Sequence, residues 1–187
     1  APLLAELDVL VLNHGVNVHG DRNRSAVELS LEVNALSGWR LLELFASVVD
    51  KRGATTGQGS SAVGQRRIPE VWLNTSEAEI QPAVSPLYEI SKRLAGQLFS
   101  LRALDLAHGV GGPLRMRRLV LGPFRSGLNP IGLMSADWVA GEVMRQAIDW
   151  NCGLVIVTPN PLTYVLMPLA VLSRWTYYRL TSHAAAD

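Results

Sequence analysis

Apolar and polar positions along this chain fall into blocks. Four short apolar runs stand out: Leu7-Asp-Val-Leu-Val-Leu12, Glu70-Val-Trp-Leu-Asn74, Arg118-Leu-Val-Leu121 and Leu154-Val-Ile-Val157. Continuous apolar runs of this length predict strands of a parallel sheet, buried on both faces. The first ends at Asn13-His14-Gly15, which reads as a loop at the strand's carboxyl end. Helical stretches lie between the runs. Ser25-Ala-Val-Glu28 has the form of a capping box and opens a long helix ending near Asp50, with Leu29, Val33, Leu36, Leu44 and Val48 as its apolar side. Ser85-Pro86 fits an N-cap followed by proline at the first helical position, which predicts a helix from about Pro86 to Ala107. Ser135 caps a third helix to about Trp150. Strand and helix in alternation argue for an α/β fold of three layers, a mostly parallel sheet between helices.

Composition narrows the class. With 187 residues the chain reads as a single domain, and 48% hydrophobic with only 6% aromatic residues suits an aliphatic α/β interior. A net charge of +1 gives no electrostatic case for nucleic acid. Cys152 is the one cysteine, so there is neither an internal disulfide nor a cysteine-built zinc site. A reduced, cytoplasmic setting is the expectation, and the first residues have no basic segment followed by a long apolar core.

The candidate chemistry sits where the apolar runs end. Tyr88 and Lys92 are spaced i and i+4, so they share one helix face with Cβ atoms about 5–6 Å apart. A phenol of pKa about 10 is a poor acid or base near neutrality, and a neighbouring ammonium is expected to lower that value. Ser76, twelve residues upstream, can orient a carbonyl. In a parallel α/β sheet, ligands bind outside the carboxyl ends of the strands. Asn13 and Gly15, Thr75 and Ser76, and Gly122 to Ser126 all follow strands, so they converge on one rim with Tyr88. His14 and His19, without a carboxylate pair nearby, read as ordinary loop residues and not as a metal site. Glu77 and Glu79 read as solvated strand-end carboxylates.

Five motifs in order resemble the short-chain dehydrogenase/reductase family, from that family's fourth strand to its C-terminus. Asn13-His14-Gly15 resembles the end of Asn-Asn-Ala-Gly, and Glu32-Val-Asn34 the segment with the helix asparagine. Thr75-Ser76 resembles the serine strand end, and Tyr88-Glu-Ile-Ser-Lys92 matches Tyr-x-x-x-Lys. Leu121-Gly-Pro-Phe-Arg-Ser126 resembles the Pro-Gly loop, with Leu121 for proline and Ser126 for threonine. Within the family, the nearest in character are cyanobacterial short-chain dehydrogenases described alongside sterol desaturases. The resemblance implies a Rossmann-like fold and an NAD(P)-dependent oxidoreductase acting on a carbonyl or secondary alcohol. It implies Tyr88 as the acid–base, Lys92 lowering its pKa and binding the nicotinamide ribose, Ser76 holding the substrate oxygen, and Asn34 binding a water. Asn13, Gly15, Gly122, Phe124 and Ser126 would line the nicotinamide half of an NAD or NADP site, together with Tyr88 and Lys92. The helices at 25–50 and 86–107 resemble those the family packs into a homo-oligomer.

The family's opening strand, glycine-rich turn and helix have no counterpart here. Gly57-Gln-Gly59 and Gly109-Val-Gly-Gly112 stand in the wrong context. The expectation is therefore an N-terminally truncated domain over 1–187, lacking the phosphate- and adenine-binding half, with Leu7–Leu12 as an edge strand. The alternative function is a non-catalytic binding or assembly module. Residues 51–69 read as a surface loop insertion. The apolar segment at 159–187 holds a run from Leu162 to Leu172, interrupted by Pro168 and shorter than the roughly 20 residues of a spanning helix. It reads first as a pocket cover or subunit contact. The other reading is a peripheral membrane helix serving a lipophilic substrate.

Overall fold

The computed structural model describes residues 3–56, 67–109 and 111–181. A short turn at Leu3–Glu6 precedes β1 (Val9–Leu12). A long helical segment follows, made of α1 (Arg24–Leu31), a π-turn at Glu32–Leu36 and α2 (Ser37–Thr56). Then come β2 (Glu70–Ser76), a 3-10 turn at Glu77–Glu79, α3 (Pro86–Ala107), β3 (Arg115–Leu121), α4 (Ala136–Met144) with a π-turn at Arg145–Asp149, β4 (Leu154–Val157) and α5 (Thr163–Thr181). The four strands are all parallel, in the order β1-β2-β3-β4, with Leu12 beside Leu73, Ser76 beside Leu121 and Leu121 beside Val157. The Rossmann-like α/β expectation is met, and β1 is an edge.

Side chains alternate across the sheet, and each face has its own core. On one face Leu12, Val71 and Leu73 pack against Leu42, Phe45, Ala46 and Val49 of α2 and Phe99 of α3. On the same face Val120 and Ile156 meet Met167 of α5. On the other, Trp72, Leu119, Leu121, Val155 and Val157 pack against Val139 and Val143 of α4 and against Ala147. The sheet order advances one way throughout, yet α2 and α3 cover one face and α4 the opposite one. The β3–α4–β4 crossover is therefore opposite in hand to the other two, although parallel crossovers are right-handed in nearly all cases.

Several local expectations are corrected. Asn23, and not Ser25, caps α1: its side chain accepts from Ala26 N, while Glu28 pairs with Arg24. The helix runs past Asp50 to Thr56, so the first part of the 51–69 segment is helical, and residues 57–66 lie outside the described residues. Leu29, Leu36 and Leu44 point outward, whereas Ala26, Ser30, Asn34, Leu42, Phe45 and Val49 are buried. The reason is the π-turn, which adds one residue and moves the buried stripe of α2 by one position. Pro168 does not interrupt α5, which continues through it. The second predicted helix, Pro86–Ala107, has the expected bounds, but the Ser85 hydroxyl donates to His19 O instead of capping.

Candidate active site

The carboxyl ends of β1, β2 and β3 open into a cavity of about 620 Å³. Asn13, Gly15, Ser76, Tyr88, Lys92, Gly122, Phe124 and Ser126 all line it. The rim expected from the sequence is thus one place. Asn34 stands one layer back, behind Gly15, where a Cβ would come 3.2 Å from its Oδ1.

Tyr88 and Lys92 are held by the first two turns of α3. The Lys92 ammonium is buried, lies 5.6 Å from the centre of the Tyr88 ring and donates to Asn74 O at 3.2 Å. Burial pulls its pKa down from 10.5 to about 8, and the charge of Glu79 opposes that shift. Burial pushes the Tyr88 phenol above its usual range, opposed by a hydrogen bond with Ser76. The direction is the reverse of that expected from the lysine alone: removing the phenol from water outweighs the Ser76 hydrogen bond. Ser76 ends β2, and its Oγ accepts from Ala78 N at 3.2 Å, which orients the hydroxyl.

Asn34 owes its position to the π-turn, a feature frequent at functional sites. Its Oδ1 accepts from Val16 N at 2.7 Å, and its Nδ2 donates to Val16 O and Ser91 Oγ, both at 2.9 Å. These bonds tie the loop after β1 to α3. Asn13 Oδ1 accepts from Asn74 Nδ2. Gly122 has a packing reason for its identity, because a Cβ there would run into Thr158 at the end of β4.

Three features of the site lay outside the sequence reading. Asn74 links Asn13 to Lys92, but as a strand residue it has no spacing signal. Glu77 Oε2 accepts from Thr158 Oγ1 at 2.6 Å and Thr163 Oγ1 at 3.4 Å. Glu79 is not solvated but fully buried, and its Oε1 takes hydrogen bonds from Arg118 at 2.8 Å and Arg174 at 3.0 Å. Arg118 also donates to Gly96 O and Ser100 Oγ. The segment after Ser76 is clamped between β3, α3 and α5.

The cavity leaves room for a ligand beside Lys92. An ammonium has three donors, and Lys92 gives one to the Asn74 carbonyl beside an open space. Gly15 brings the backbone close to that ammonium, a position where a Cβ would lie 3.9 Å from Nζ. Gly122, Phe124 and Ser126 face it from the β3 side.

No protein-family profile matches the chain. A monoglucosyldiacylglycerol epimerase of Synechocystis is 45% identical to it over 178 residues, 95% of this chain and 39% of that relative. The chain thus spans less than half the length of that curated relative. Among solved structures, a short-chain dehydrogenase from Sphingobium yanoikuyae in complex with NADPH is similar with a TM-score of 0.63 at 15% identity, over 100% of this chain and 71% of that one. The bulky-bulky ketone specific alcohol dehydrogenase from Comamonas testosteroni gives 0.62 at 16%, over 98% and 67%. A short-chain dehydrogenase from Burkholderia cenocepacia in complex with NADP gives 0.64 at 12%, over 97% and 75%. The chain has the short-chain dehydrogenase/reductase fold that its motifs imply.

Proposed function

We propose that this chain carries the proton-transfer and nicotinamide-binding part of an NAD(P)-dependent oxidoreductase that interconverts a secondary alcohol and a ketone. We further propose that the reaction is epimerisation of a sugar carbinol on a glycolipid. The observation that carries the first statement is the meeting of Ser76, Tyr88 and Lys92 in one cavity at the strand ends. The relative named as an epimerase, alike over 95% of the chain, supports the second.

The chain's own residues have distinct tasks in this reading. Ser76 donates a hydrogen bond to the substrate oxygen. Tyr88, kept protonated by burial, gives its proton to that oxygen when a ketone is reduced, and takes it back when an alcohol is oxidised. Lys92 stabilises the phenolate with its charge and would hydrogen-bond the ribose of a bound nucleotide. Asn34 acts as a positioning residue, fixing the loop that carries Asn13 and Gly15. A bound NAD or NADP supplies the hydride acceptor and donor. Epimerisation joins the two half-reactions: the carbinol loses hydride and proton, the ketone turns over, and both return on the other face. No external oxidant is consumed. A volume of about 620 Å³ lies inside the range of about 300–1,000 Å³ usual for small-molecule sites.

The test uses the full-length protein. Titration with NADH and NADPH is expected to show binding, and Tyr88→Phe to lower turnover by about 10²–10⁴-fold with little change in nucleotide affinity. On a glucosyl lipid deuterated at the reacting carbon, the label is expected to stay in the epimer. Replacement of the label by solvent hydrogen at that carbon would remove the redox route. The non-catalytic alternative requires that neither nucleotide binds. A homo-oligomer through the outward leucines of α1 and α2 belongs to the same proposal.

A further inference from the structure

Helix α5 is amphipathic in an inverted sense. Its inward stripe, Thr163, Met167, Arg174 and Tyr178, carries most of its polar bonds. Thr163 bonds Gln81 at 2.7 Å, Arg174 bonds Glu79, and the Tyr178 hydroxyl donates to Gln97 at 2.8 Å. The outward stripe is aliphatic, with Val165 at 58%, Leu169 at 57% and Leu172 at 60% exposure, followed by Leu180. A helix on a water-facing surface has the opposite pattern.

Two further observations choose the occupant of that face. From Leu162 to Thr181 the chain has no acidic residue, and of its two arginines Arg174 turns inward to Glu79 while Arg179 is exposed, so the charge this face presents is positive and complements an anionic surface. Trp175 and Tyr177 are exposed beside the aliphatic stripe, and the Arg179 guanidinium lies 5.0 Å from the Trp175 ring centre. Aromatic and basic residues flanking an aliphatic stripe are the composition of a membrane–water interface. Among the described residues no helix is long and apolar enough to cross a membrane, so contact by this helix would be interfacial.

We infer that the outward face of α5 docks on an anionic lipid surface. This rests on the glycolipid reading above for its purpose, since it brings the site to its substrate. The first turn of α5 touches the site directly: Thr163 bonds Glu77, which lines the cavity next to Ser76. A helix lying in the interface therefore holds the cavity at the bilayer, where the sugar headgroup of a diacylglycerol lipid resides.

The test is fluorescence quenching of the full chain by vesicles of brominated phosphatidylcholine and phosphatidylglycerol, free of glycolipid. Quenching is expected, with the Trp175→Phe protein losing that component. The Leu169→Ser/Leu172→Ser double variant is expected to need about ten-fold more lipid, with an unchanged melting curve because both side chains are exposed. Unquenched Trp175, or a double variant that binds vesicles as before, overturns the inference. So does a covalent dimer through Leu172→Cys formed as readily with vesicles as without, since a second copy would then cover the face. Turnover of a water-soluble short-chain glucoside separates this from the reaction. Turnover without quenching sinks the docking alone, and quenching without nucleotide binding sinks the reaction alone.

Discussion

At the scale of single residues, the chain keeps two titratable groups out of water beside each other and shifts them in different directions. Lys92 titrates near 8 when folded and 10.5 is its ordinary value. Between those values the unfolded chain binds more protons, so folding stability rises with pH from about 8 to about 10.5 and is flat below. Urea unfolding across that range is expected to show the rise, and Lys92→Met to abolish it. Ser76, Tyr88, Lys92 and Asn13 were legible from the sequence because each stands at a fixed offset from a strand end or helix start. Glu79 was not. Its burial depends on Arg118 from β3 and Arg174 from α5, which are 39 and 95 residues away, and no local pattern encodes that meeting.

At the scale of elements, the Glu79 cluster fastens the middle of α5 to β3 and α3. Gly96 on α3 leaves room for it, because a Cβ there would fall within the Glu79 carboxylate. Glu79→Ala leaves two guanidinium groups without their shared partner, and breaking a buried pair in this way costs about 3–5 kcal/mol. Gly96→Ala is expected to push the carboxylate aside and cost about 1–3 kcal/mol. Denaturant midpoints check both, and the loss is expected in α5 first by hydrogen exchange. Strand positions were readable because four apolar runs leave few alternatives. The outward leucines of α1 and α2 misled the periodicity for a physical reason: α1 and the π-turn meet α3 through Ser30 and Asn34, small or polar side chains that a hydrophobic stripe does not reveal. The Ser30 hydroxyl reaches Leu87 O at 3.1 Å.

At the scale of the whole molecule, apolar surface is distributed unevenly. Val9 and Val11 of the edge strand are exposed on the face covered by α4 farther along the sheet, and Leu29, Leu36, Leu41 and Leu44 are exposed on the long helix. Leu36→Asp with Leu44→Asp is expected to shift sedimentation toward a monomer without changing the melting curve, because neither side chain belongs to the core. An unchanged sedimentation coefficient would remove the proposed homo-oligomer through these leucines. The layer order was legible from alternation alone. The opposite hand of the last crossover was not, since it follows from which side of the sheet Trp72, Leu119 and Leu121 present to α4, a fact of assembly.

The π-turn at Glu32–Leu36 has a consequence for how the long helix divides its labour. A π-turn holds one more residue than the α-turn it replaces, so it acts as a phase adjuster, offsetting the two halves by about 100°. The half before it aims Ser30 at α3, and the turn itself aims Asn34 at the loop of the site. The half after it aims Leu42, Phe45 and Val49 at the sheet. With a regular helix, one of those alignments would be lost: seating the core would swing Asn34 away from Val16, and seating Asn34 would lift Phe45 out of the core. One extra residue lets the positioning of the cavity loop and structural support be tuned separately along a single continuous rod.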